Sequence, residues 1–312
     1  MSRFARVGVI GAGAWGSALA LLAARAGREV VLWARHEGPA PAGVARVGAP
    51  AALAGVDVAL LAIPAQHLAE ALAPFETTLP RDVPLILCAK GIERASGRFL
   101  SASVADAMPG RTIGALSGPG FADDVAKGLP GAVTIALPRL ADAEALSAAL
   151  ASPLFRPYSA DDVAGVEAGG ALKNVYAIAA GVVIGLGFGE SARAALLSRA
   201  YAEMPRFGRA IGARPETFTG LSGLGDLILT ATSTQSRNTR FGLAMGRGEA
   251  PATALAAIGT VEGAATALAL ATLARRLGVD MPIADGVAAL AADEARAGDL
   301  AGRLLGRPLR TE

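Results

Sequence analysis

Short runs of apolar residues, almost free of polar interruptions, recur along the first half of the chain. Strands that are buried on both faces of a parallel sheet have this pattern. Stretches with helical spacing lie between several runs, and the first, at 14–26, is followed by Gly27, a residue type that often ends helices. The alternation predicts an α/β fold with a doubly wound sheet. The predicted strands are residues 7–10, 29–33, 58–63, 84–88, 112–116 and 132–137.

The strand pattern stops at about residue 165, and helical spacing continues to the end of the chain. We therefore predict two domains, an N-terminal sheet domain at 1–165 and a C-terminal all-helical domain at 166–312. Ligand pockets commonly form between domains, so the active site is expected in the cleft between these two. The predicted helices of the second domain are residues 167–186, 191–211, 226 onward, 261–277 and 283–297.

Composition excludes several classes of protein. Hydrophobic residues make up 53% and charged residues 18% of the 312, which rules out a disordered chain. The net charge of +2 gives no basic excess for nucleic acid, and one cysteine with two histidines gives no basis for a disulfide or a metal centre. The uncharged run at 7–24 imitates a signal peptide or membrane span, but its glycines would weaken an inserted helix. We expect a cytoplasmic protein with no membrane span.

Lysine and asparagine are rare, whereas the chain has 26 arginines. A coding bias that replaces lysine by arginine wherever either would serve leaves lysine only where arginine would fail. A buried lysine can lose its proton, but an arginine in a protein cannot. The rare positions are therefore candidates for chemistry, and they are Lys90, Lys127, Lys173, Asn174 and Asn238.

A G-x-G-x-x-G motif follows the first predicted strand and opens the first predicted helix. Its glycines, Gly11, Gly13 and Gly16, permit a tight turn and let the backbone approach a pyrophosphate, which then faces the helix N-terminus. The motif predicts a Rossmann-type domain that binds NAD or NADP. A glycine-rich turn without a ligand is the alternative.

The end of the second predicted strand carries Arg35 and His36, both candidate cofactor contacts. NAD-specific domains usually place an acid there to hold the ribose hydroxyls. Arg35 has the right charge for a 2′-phosphate, so NADPH is favoured over NADH, with use of both left open. Alternatively, Arg35 stacks on adenine or faces solvent, and we interpret His36 as a bystander.

Two lysines are placed for chemistry on a small substrate. Lys90 follows the strand at 84–88, at the sheet edge where ligands bind. Lys173 shares a helix face with Ala177 and Ala180, whose small side chains are expected to leave room beside the amine. An ammonium whose pKa is lowered by burial and nearby cations can protonate a carbonyl oxygen, so Lys173 is the candidate general acid/base. The alternatives are solvated or snorkelling lysines.

Asp226 and the tripeptide Ser236-Arg237-Asn238 are candidates for holding substrate. If one helix runs through both, Asp226 and Arg237 lie on one face, and Asp226 orients Lys173 or a substrate hydroxyl. The tripeptide offers a guanidinium fork and small donors for a phosphate. A helix-capping cluster is the alternative. The turn Ser117–Gly120 offers backbone N–H groups for substrate, although turn chemistry alone would explain it.

Taken together and in order, these motifs resemble the bacterial NAD(P)-dependent glycerol-3-phosphate dehydrogenase family. The family reduces dihydroxyacetone phosphate to sn-glycerol 3-phosphate for glycerophospholipid synthesis, and the resemblance implies a 6-phosphogluconate-dehydrogenase-like fold. The matching segments are GAGAWGSALA, AKGIE, SGPGFADDVAKGLP, GVEAGGALKNVYAIAAG, SGLGDLILT and QSRNTRFG, with VEG at 261–263 and MPI at 281–283.

The resemblance implies that Lys173 is the catalytic acid/base. Substrate contacts are implied for Lys90, Gly118, Gly120, Lys173, Asp226, Ser236, Arg237 and Asn238. Cofactor contacts are implied for Ala14, Trp15, Arg35, Lys90, Ala122, Arg237, Val261 and Glu262.

The chain departs from the family at several positions. Ala14 stands where the family often has Ser, Gly120 where Ser or Thr is usual, and Ser191 where Asn is usual. The segment after Arg35 is shorter than in most members, near the adenosine end of the cofactor.

Two other functions remain open at this point. A β-hydroxyacid dehydrogenase, such as one acting on 3-hydroxyisobutyrate, shares the two domains and the Lys-Asn helix. A non-catalytic NAD(P)-binding sensor would keep the glycine turn but does not need Lys90, Lys173 and Asp226. The Ser-Arg-Asn tripeptide favours a small phosphorylated triose as the partner. The apolar helical domain is compatible with a homodimer.

Overall fold

The computed structural model describes residues 3–305, and the N-terminal half is built on one eight-stranded sheet. In chain order the strands are β1 (Arg6–Ile10), β2 (Glu29–Trp33), β3 (Ala45–Val47), β4 (Val58–Leu61), β5 (Leu85–Leu87), β6 (Ile113–Ser117), β7 (Gly131–Ala136) and β8 (Phe155–Ala160). Their order across the sheet is β3-β2-β1-β4-β5-β6-β7-β8. Because the order reverses at β1, a ligand crevice is expected at the carboxyl ends of β1 and β4.

The predicted α/β fold is confirmed, and all six predicted strands are present. Two edge strands were missed. β3 has three residues and is not buried, while β8 contains Pro157 and alternates in burial, so neither forms an apolar run. The sheet is parallel except for one pair of strands, β6 and β7, which are antiparallel.

Helices flank the sheet and make up the rest of the described chain. Loops, 3-10 turns and one π-helical turn connect the α-helices, which in chain order are α1 (Ala14–Arg25), α2 (Leu68–Ala71), α3 (Leu100–Ala107), α4 (Ala122–Lys127), α5 (Leu140–Leu150), α6 (Val163–Gly185), α7 (Gly189–Ala210), α8 (Asp226–Thr232), α9 (Arg237–Gly246), α10 (Pro251–Ile258), α11 (Glu262–Arg276), α12 (Pro282–Ala291) and α13 (Ala297–Leu305).

Two helix predictions were wrong. No single helix carries both Asp226 and Arg237, because α8 ends at Thr232 and α9 begins after an extended Ser236. The predicted helix at 283–297 ends early, because α12 stops at Ala291 and the next helix, α13, begins only at Ala297. Asp293 has a positive φ of 59° in that break, a backbone conformation that cannot continue a helix.

α6 is the central element of the helical half. It begins four residues before the predicted start because the Asp162 side chain accepts a hydrogen bond from the Gly165 N–H at 2.9 Å and caps it. It packs directly against α9, and a Cβ at Gly242 would lie 1.9 Å from the Ile178 carbonyl oxygen. By length and composition α6 could cross a membrane, but 83% of its most apolar stretch is buried inside the protein, as in a core helix.

Candidate active site

A cleft of about 1400 Å³ lies between the carboxyl ends of the central strands and the helical half. Most of the predicted site residues line it: Gly11, Gly13, Ala14, Trp15, Arg35, His36, Lys90, Gly120, Ala122, Lys173, Ser236, Arg237, Asn238 and Glu262. Gly16, Gly118, Asp226 and Val261 do not line it. The structure therefore brings the predicted residues to one place, while their individual roles stay predictions.

The glycine turn between β1 and α1 has the shape that a pyrophosphate requires. Gly11 has a φ of +109°, and a Cβ at Gly16 would lie 1.8 Å from the Gly11 carbonyl oxygen, so neither position admits a side chain. Around Gly13, by contrast, a Cβ would meet nothing within 4 Å. No side chain caps the N-terminus of α1, and no acid lies in its first turn. Its N–H groups can therefore bind an anion, and these residues fit a dinucleotide.

Lys90 connects the sheet to the helical half. Its ammonium donates hydrogen bonds to the Gly118 carbonyl at 3.0 Å and to Asp226 Oδ2 at 2.5 Å. It also lies 5.8 Å from the centre of the Trp15 ring, within reach of a cation–π contact. Trp15 is itself fixed because its Nε1 donates to the Cys88 carbonyl at 3.1 Å. Lys90 is thus held in place at the floor of the cleft.

Lys173 projects from α6 into the same cluster. Its ammonium donates to Thr230 Oγ1 at 2.8 Å and lies 3.1 Å from Asp226 Oδ1. Ala177 and Ala180, which share its helix face, are fully buried in the core. The expected room beside the amine along that face is therefore absent, and Lys173 opens to the cleft only at its tip.

Burial and neighbouring charge set the protonation of this cluster. Burial, aided by the nearby charge of Lys90 and opposed by that of Asp226, lowers the pKa of Lys173 from 10.5 to about 8. Burial would by itself raise the pKa of Asp226, but the ammonium groups of Lys173 and Lys90 hold it below its ordinary value. Asp226 is therefore ionised at neutral pH, and Lys173 can exchange its proton near neutrality.

A chain of amide hydrogen bonds joins four segments around the cleft. The Asn174 Nδ2 group donates to the Lys90 carbonyl at 3.2 Å, and the Asn238 Nδ2 group donates to Asn174 Oδ1 at 2.8 Å. Asn238 Oδ1 in turn accepts from the Gly263 N–H at 3.0 Å. The chain fixes the end of β5, α6, α9 and α11 relative to one another, so both rare asparagines have a positioning role.

The N-terminus of α9 faces the cleft with an exposed arginine. Ser236 caps the helix, and its Oγ accepts from the Thr239 N–H at 3.2 Å. Ser236 therefore caps the helix, as the alternative interpretation of the tripeptide held. Its Oγ acts there as an acceptor, so the hydroxyl proton can still be donated to a ligand. Arg237 follows in the first turn. Burial raises the pKa of Glu262 above its ordinary value, opposed first by the charge of Lys173 and, less strongly, by that of Arg237. Val261, buried, directly precedes Glu262 at the start of α11.

Sequence reasoning missed several residues that line the cleft. Thr230 accepts from Lys173 and donates to Asp226 Oδ1 at 3.1 Å. Its position four residues after Asp226 on a helix was a usable signal. Arg46 lies on the missed strand β3, and no feature of the sequence pointed to it. Within residues 3–305, no group of three or more His, Cys, Asp or Glu side chains is arranged to hold a metal ion.

A Rossmann sheet with a glycine turn, joined to a helical half that supplies a buried lysine, defines a nicotinamide-dependent oxidoreductase. Family comparison agrees: the profile described as "NAD-dependent glycerol-3-phosphate dehydrogenase C-terminus" matches residues 162–301, and its N-terminus counterpart matches 6–47 and 41–143. The chain belongs to the NAD-dependent glycerol-3-phosphate dehydrogenase family.

Individual relatives cover the whole chain. It is 50% identical to a glycerol-3-phosphate dehydrogenase [NAD(P)+] of Methylobacterium radiotolerans, over 100% of this chain and 99% of that protein. The Brucella ovis protein of the same name is 47% identical over 98% and 99%. The crystal structure of glycerol-3-phosphate dehydrogenase from Coxiella burnetii superposes with a TM-score of 0.91 at 34% identity, covering 98% of this chain and all of that one.

Proposed function

We propose that the protein reduces dihydroxyacetone phosphate to sn-glycerol 3-phosphate with NADPH or NADH, reversibly, and supplies glycerophospholipid synthesis. The observation that carries the proposal is the buried Lys173, which opens to a cleft shared with the glycine turn and with Arg237. The family membership supports this reaction and does not favour the hydroxyacid or sensor alternatives.

A reduced nicotinamide, when bound, supplies the hydride. Lys173 supplies the proton: its pKa of about 8 leaves the amine protonated at neutral pH yet able to release the proton to the carbonyl oxygen of the substrate. Thr230 and Asp226 then hold the neutral amine in place. Asp226, 1% exposed, acts through the two lysines, and we assign it a positioning role in place of the predicted substrate contact.

The phosphate of the substrate is assigned to the N-terminus of α9. Arg237 is exposed in the first turn and offers a planar fork, and Asn238 lies beside it. Lys90, between the glycine turn and Asp226, keeps a second positive charge at the reacting end. Substrate and cofactor are thereby expected to meet between Lys90 and Lys173.

The test is the loss of absorbance at 340 nm with dihydroxyacetone phosphate, run with NADH and NADPH in parallel. We expect rapid oxidation of at least one cofactor and production of sn-glycerol 3-phosphate. Turnover with 2-methyl-3-oxopropanoate in its place would indicate a β-hydroxyacid dehydrogenase. Binding of NADPH without turnover of either substrate would indicate a sensor.

Substitution of Arg237 tests the phosphate assignment. Arg237→Ala should raise KM for dihydroxyacetone phosphate by about 10- to 100-fold, as expected for a lost charge-assisted hydrogen bond, and change KM for unphosphorylated dihydroxyacetone little. Arg247→Ala, at the other end of α9 and outside the cleft, is the matched control. Equal losses on both substrates would remove Arg237 from this role.

We further propose that the protein works in the cytoplasm as a homodimer and divides into domains at 1–165 and 166–312. The sheet ends at Ala160 and α6 begins at Val163, within a few residues of the proposed boundary, which supports the division into two domains.

Phe188 and Ile228 are about half exposed on the helical half and are candidates for the contact between the two subunits of the dimer. Light scattering should give twice the chain mass of 31.1 kDa, and a single chain mass would exclude the dimer.

A further inference from the structure

The short segment after β2 places an arginine at the end of the cleft where the adenosine ribose is expected. Residues 34–44 lead directly into β3, which pairs with β2 so that Arg46 lies beside Leu32. The Trp33 Nε1 donates to the Gly48 carbonyl at 2.9 Å, and the Ala34 N–H donates to the Val47 carbonyl at 3.0 Å. These bonds fix β3 against the carboxyl end of β2, where Rossmann domains read the ribose.

The guanidinium of Arg46 is oriented without being neutralised. Its two terminal nitrogens donate to the Pro39 carbonyl at 3.0 Å and to the His36 carbonyl at 2.8 Å. A Cβ at Gly38 would lie 2.9 Å from Arg46 Nη2, so the loop backbone rests on the guanidinium. Carbonyls fix its direction but leave its full charge. Two of its five N–H donors are used, and three remain for a ligand.

Arg35 adds a second uncompensated charge at the same end of the cleft. It is exposed, follows β2 directly, and lines the cleft with Arg46. Across residues 3–305, no carboxylate forms a salt bridge with either arginine. The acidic residues that line the cleft, Glu70, Asp123 and Glu262, all lie outside residues 33–46. Glu37, the one acidic residue in that stretch, does not line the cleft, so no acid that lines it there can hold the ribose 2′-hydroxyl of NADH.

We infer that Arg46, together with Arg35, binds the 2′-phosphate of NADPH and sets a preference for NADPH over NADH. A dianionic phosphate suits two guanidinium groups, which bind it through paired, charge-assisted hydrogen bonds. Because Arg46 is already oriented by the loop, little side-chain entropy is lost when the phosphate binds. The inference rests on the proposed function in one respect, that the cleft binds a nicotinamide dinucleotide.

The test is the affinity of the ligands themselves, measured by titration calorimetry without substrate. NADPH is compared with NADH, and adenosine 2′,5′-bisphosphate with adenosine 5′-monophosphate, for Arg46→Ala, Arg35→Ala and the unchanged protein. Arg46→Ala should weaken the two 2′-phosphorylated ligands by about 10- to 100-fold and leave the other two within about twofold. Arg28→Ala is the matched control, since Arg28 also donates to a backbone carbonyl but lies outside the cleft.

Equal weakening of all four ligands by Arg46→Ala would mean that the arginine only orders the loop, and unchanged affinities would mean that it does not contact the phosphate. Either result overturns the inference. Arg46→Lys keeps the positive charge but removes the guanidinium fork. It should weaken the binding of NADPH and adenosine 2′,5′-bisphosphate less than Arg46→Ala does, and leave the affinities for NADH and adenosine 5′-monophosphate unchanged. Failure of the unchanged protein to turn over dihydroxyacetone phosphate would overturn the proposed function alone, since these affinities do not depend on turnover.

Discussion

At the scale of single residues, one carboxylate organises the reacting end of the cleft. Asp226 presents one oxygen to Lys90 and the other to Lys173, so each lysine has a fixed direction. Thr230 completes the set by bonding both Lys173 and Asp226. We assign the two lysines different tasks, because burial lowers the pKa of Lys173 to about 8, whereas Lys90 is bonded to the Gly118 carbonyl and to Asp226.

The role of Lys173 can be tested by its removal. Lys173→Ala should lower kcat by ~10²- to 10⁴-fold, the usual contribution of a positioned acid/base, and leave the affinity for NADPH unchanged. Lys127→Ala is the matched control, since Lys127 is exposed at the end of α4. An unchanged kcat in Lys173→Ala would exclude the lysine as the proton donor.

The missing hydroxyl at position 120 can be restored. A Cβ on Gly120 would lie 3.6 Å from the Val125 side chain and 3.7 Å from Trp15, which are ordinary contacts. Gly120→Ser should therefore keep the Tm and lower KM for dihydroxyacetone phosphate by about 2- to 10-fold, the effect of one added hydrogen bond.

Gly118→Ser is the contrasting variant, two residues away. Gly118 has a φ of +150°, and its Cβ would lie 2.8 Å from the Val133 Cα, so this change should lower the Tm measurably. If Gly120→Ser instead destabilised the fold as much as Gly118→Ser, or raised KM, the cleft would not hold substrate beside position 120.

At the scale of elements, the break between α8 and α9 positions the end of the cleft to which we assign the substrate phosphate. Ser233 Oγ accepts from the Gln235 N–H at 3.2 Å, and Ser236 caps α9, so two serines close the turn. Serines at such a spacing compete with helical hydrogen bonds, and the sequence held this signal. A single continuous helix would have carried Arg237 away from the helix N-terminus that now faces the cleft.

A buried acid on α6 couples the catalytic helix to α3. Glu167 accepts from the Ser101 N–H at 2.9 Å and from the Ser101 hydroxyl at 2.5 Å, in the first turn of α3. It is 6% exposed, and burial raises its pKa from 4.5 to about 7 against the opposing hydrogen bonds of Ser101. Ionisation of this carboxyl group strengthens the Ser101 hydrogen bonds but leaves a charge buried, so it is expected to destabilise the folded protein.

The free energy of unfolding should depend on whether Glu167 is ionised. Because the pKa of Glu167 is higher in the folded than in the unfolded chain, its contribution is present below pH 4.5 and is lost as pH rises towards 7. Between pH 5 and 8, the free energy of unfolding should fall by about 2 to 3 kcal/mol more in the unchanged protein than in Glu167→Gln. Urea unfolding at both pH values measures this, and an equal change in the two proteins would contradict it.

At the scale of the whole molecule, sequence reasoning worked where local pattern and burial coincide. The central strands are apolar runs because both faces of the sheet are covered, and the glycine turn lies in one continuous segment. The edge strands β3 and β8 were not predicted because some of their side chains meet solvent, so neither strand is a continuous apolar run. Thr230 and Arg46 escaped because their importance depends on contacts between distant segments, such as Arg46 with the loop at 36–39, that no short window of sequence contains.

The two halves of the molecule form the site jointly. Lys90 on the sheet side and Asp226 on the helical side form a 2.5 Å ion pair, and Asn174 on α6 bonds the Lys90 carbonyl. Lys173, the proposed proton donor on α6, is therefore held against the end of β5 by bonds that cross the cleft. Catalysis on this account requires both halves, which makes the protonation of Lys173 a property of the assembled cleft.

The most direct test of this account is the pH dependence of kcat/KM in both directions between pH 6 and 10. Reduction needs protonated Lys173, so its kcat/KM should fall as pH rises through about 8, whereas oxidation of glycerol 3-phosphate needs the neutral amine and should rise through the same pH. Profiles that are flat near pH 8, or that change in the same sense for both directions, would contradict Lys173 as the acid/base.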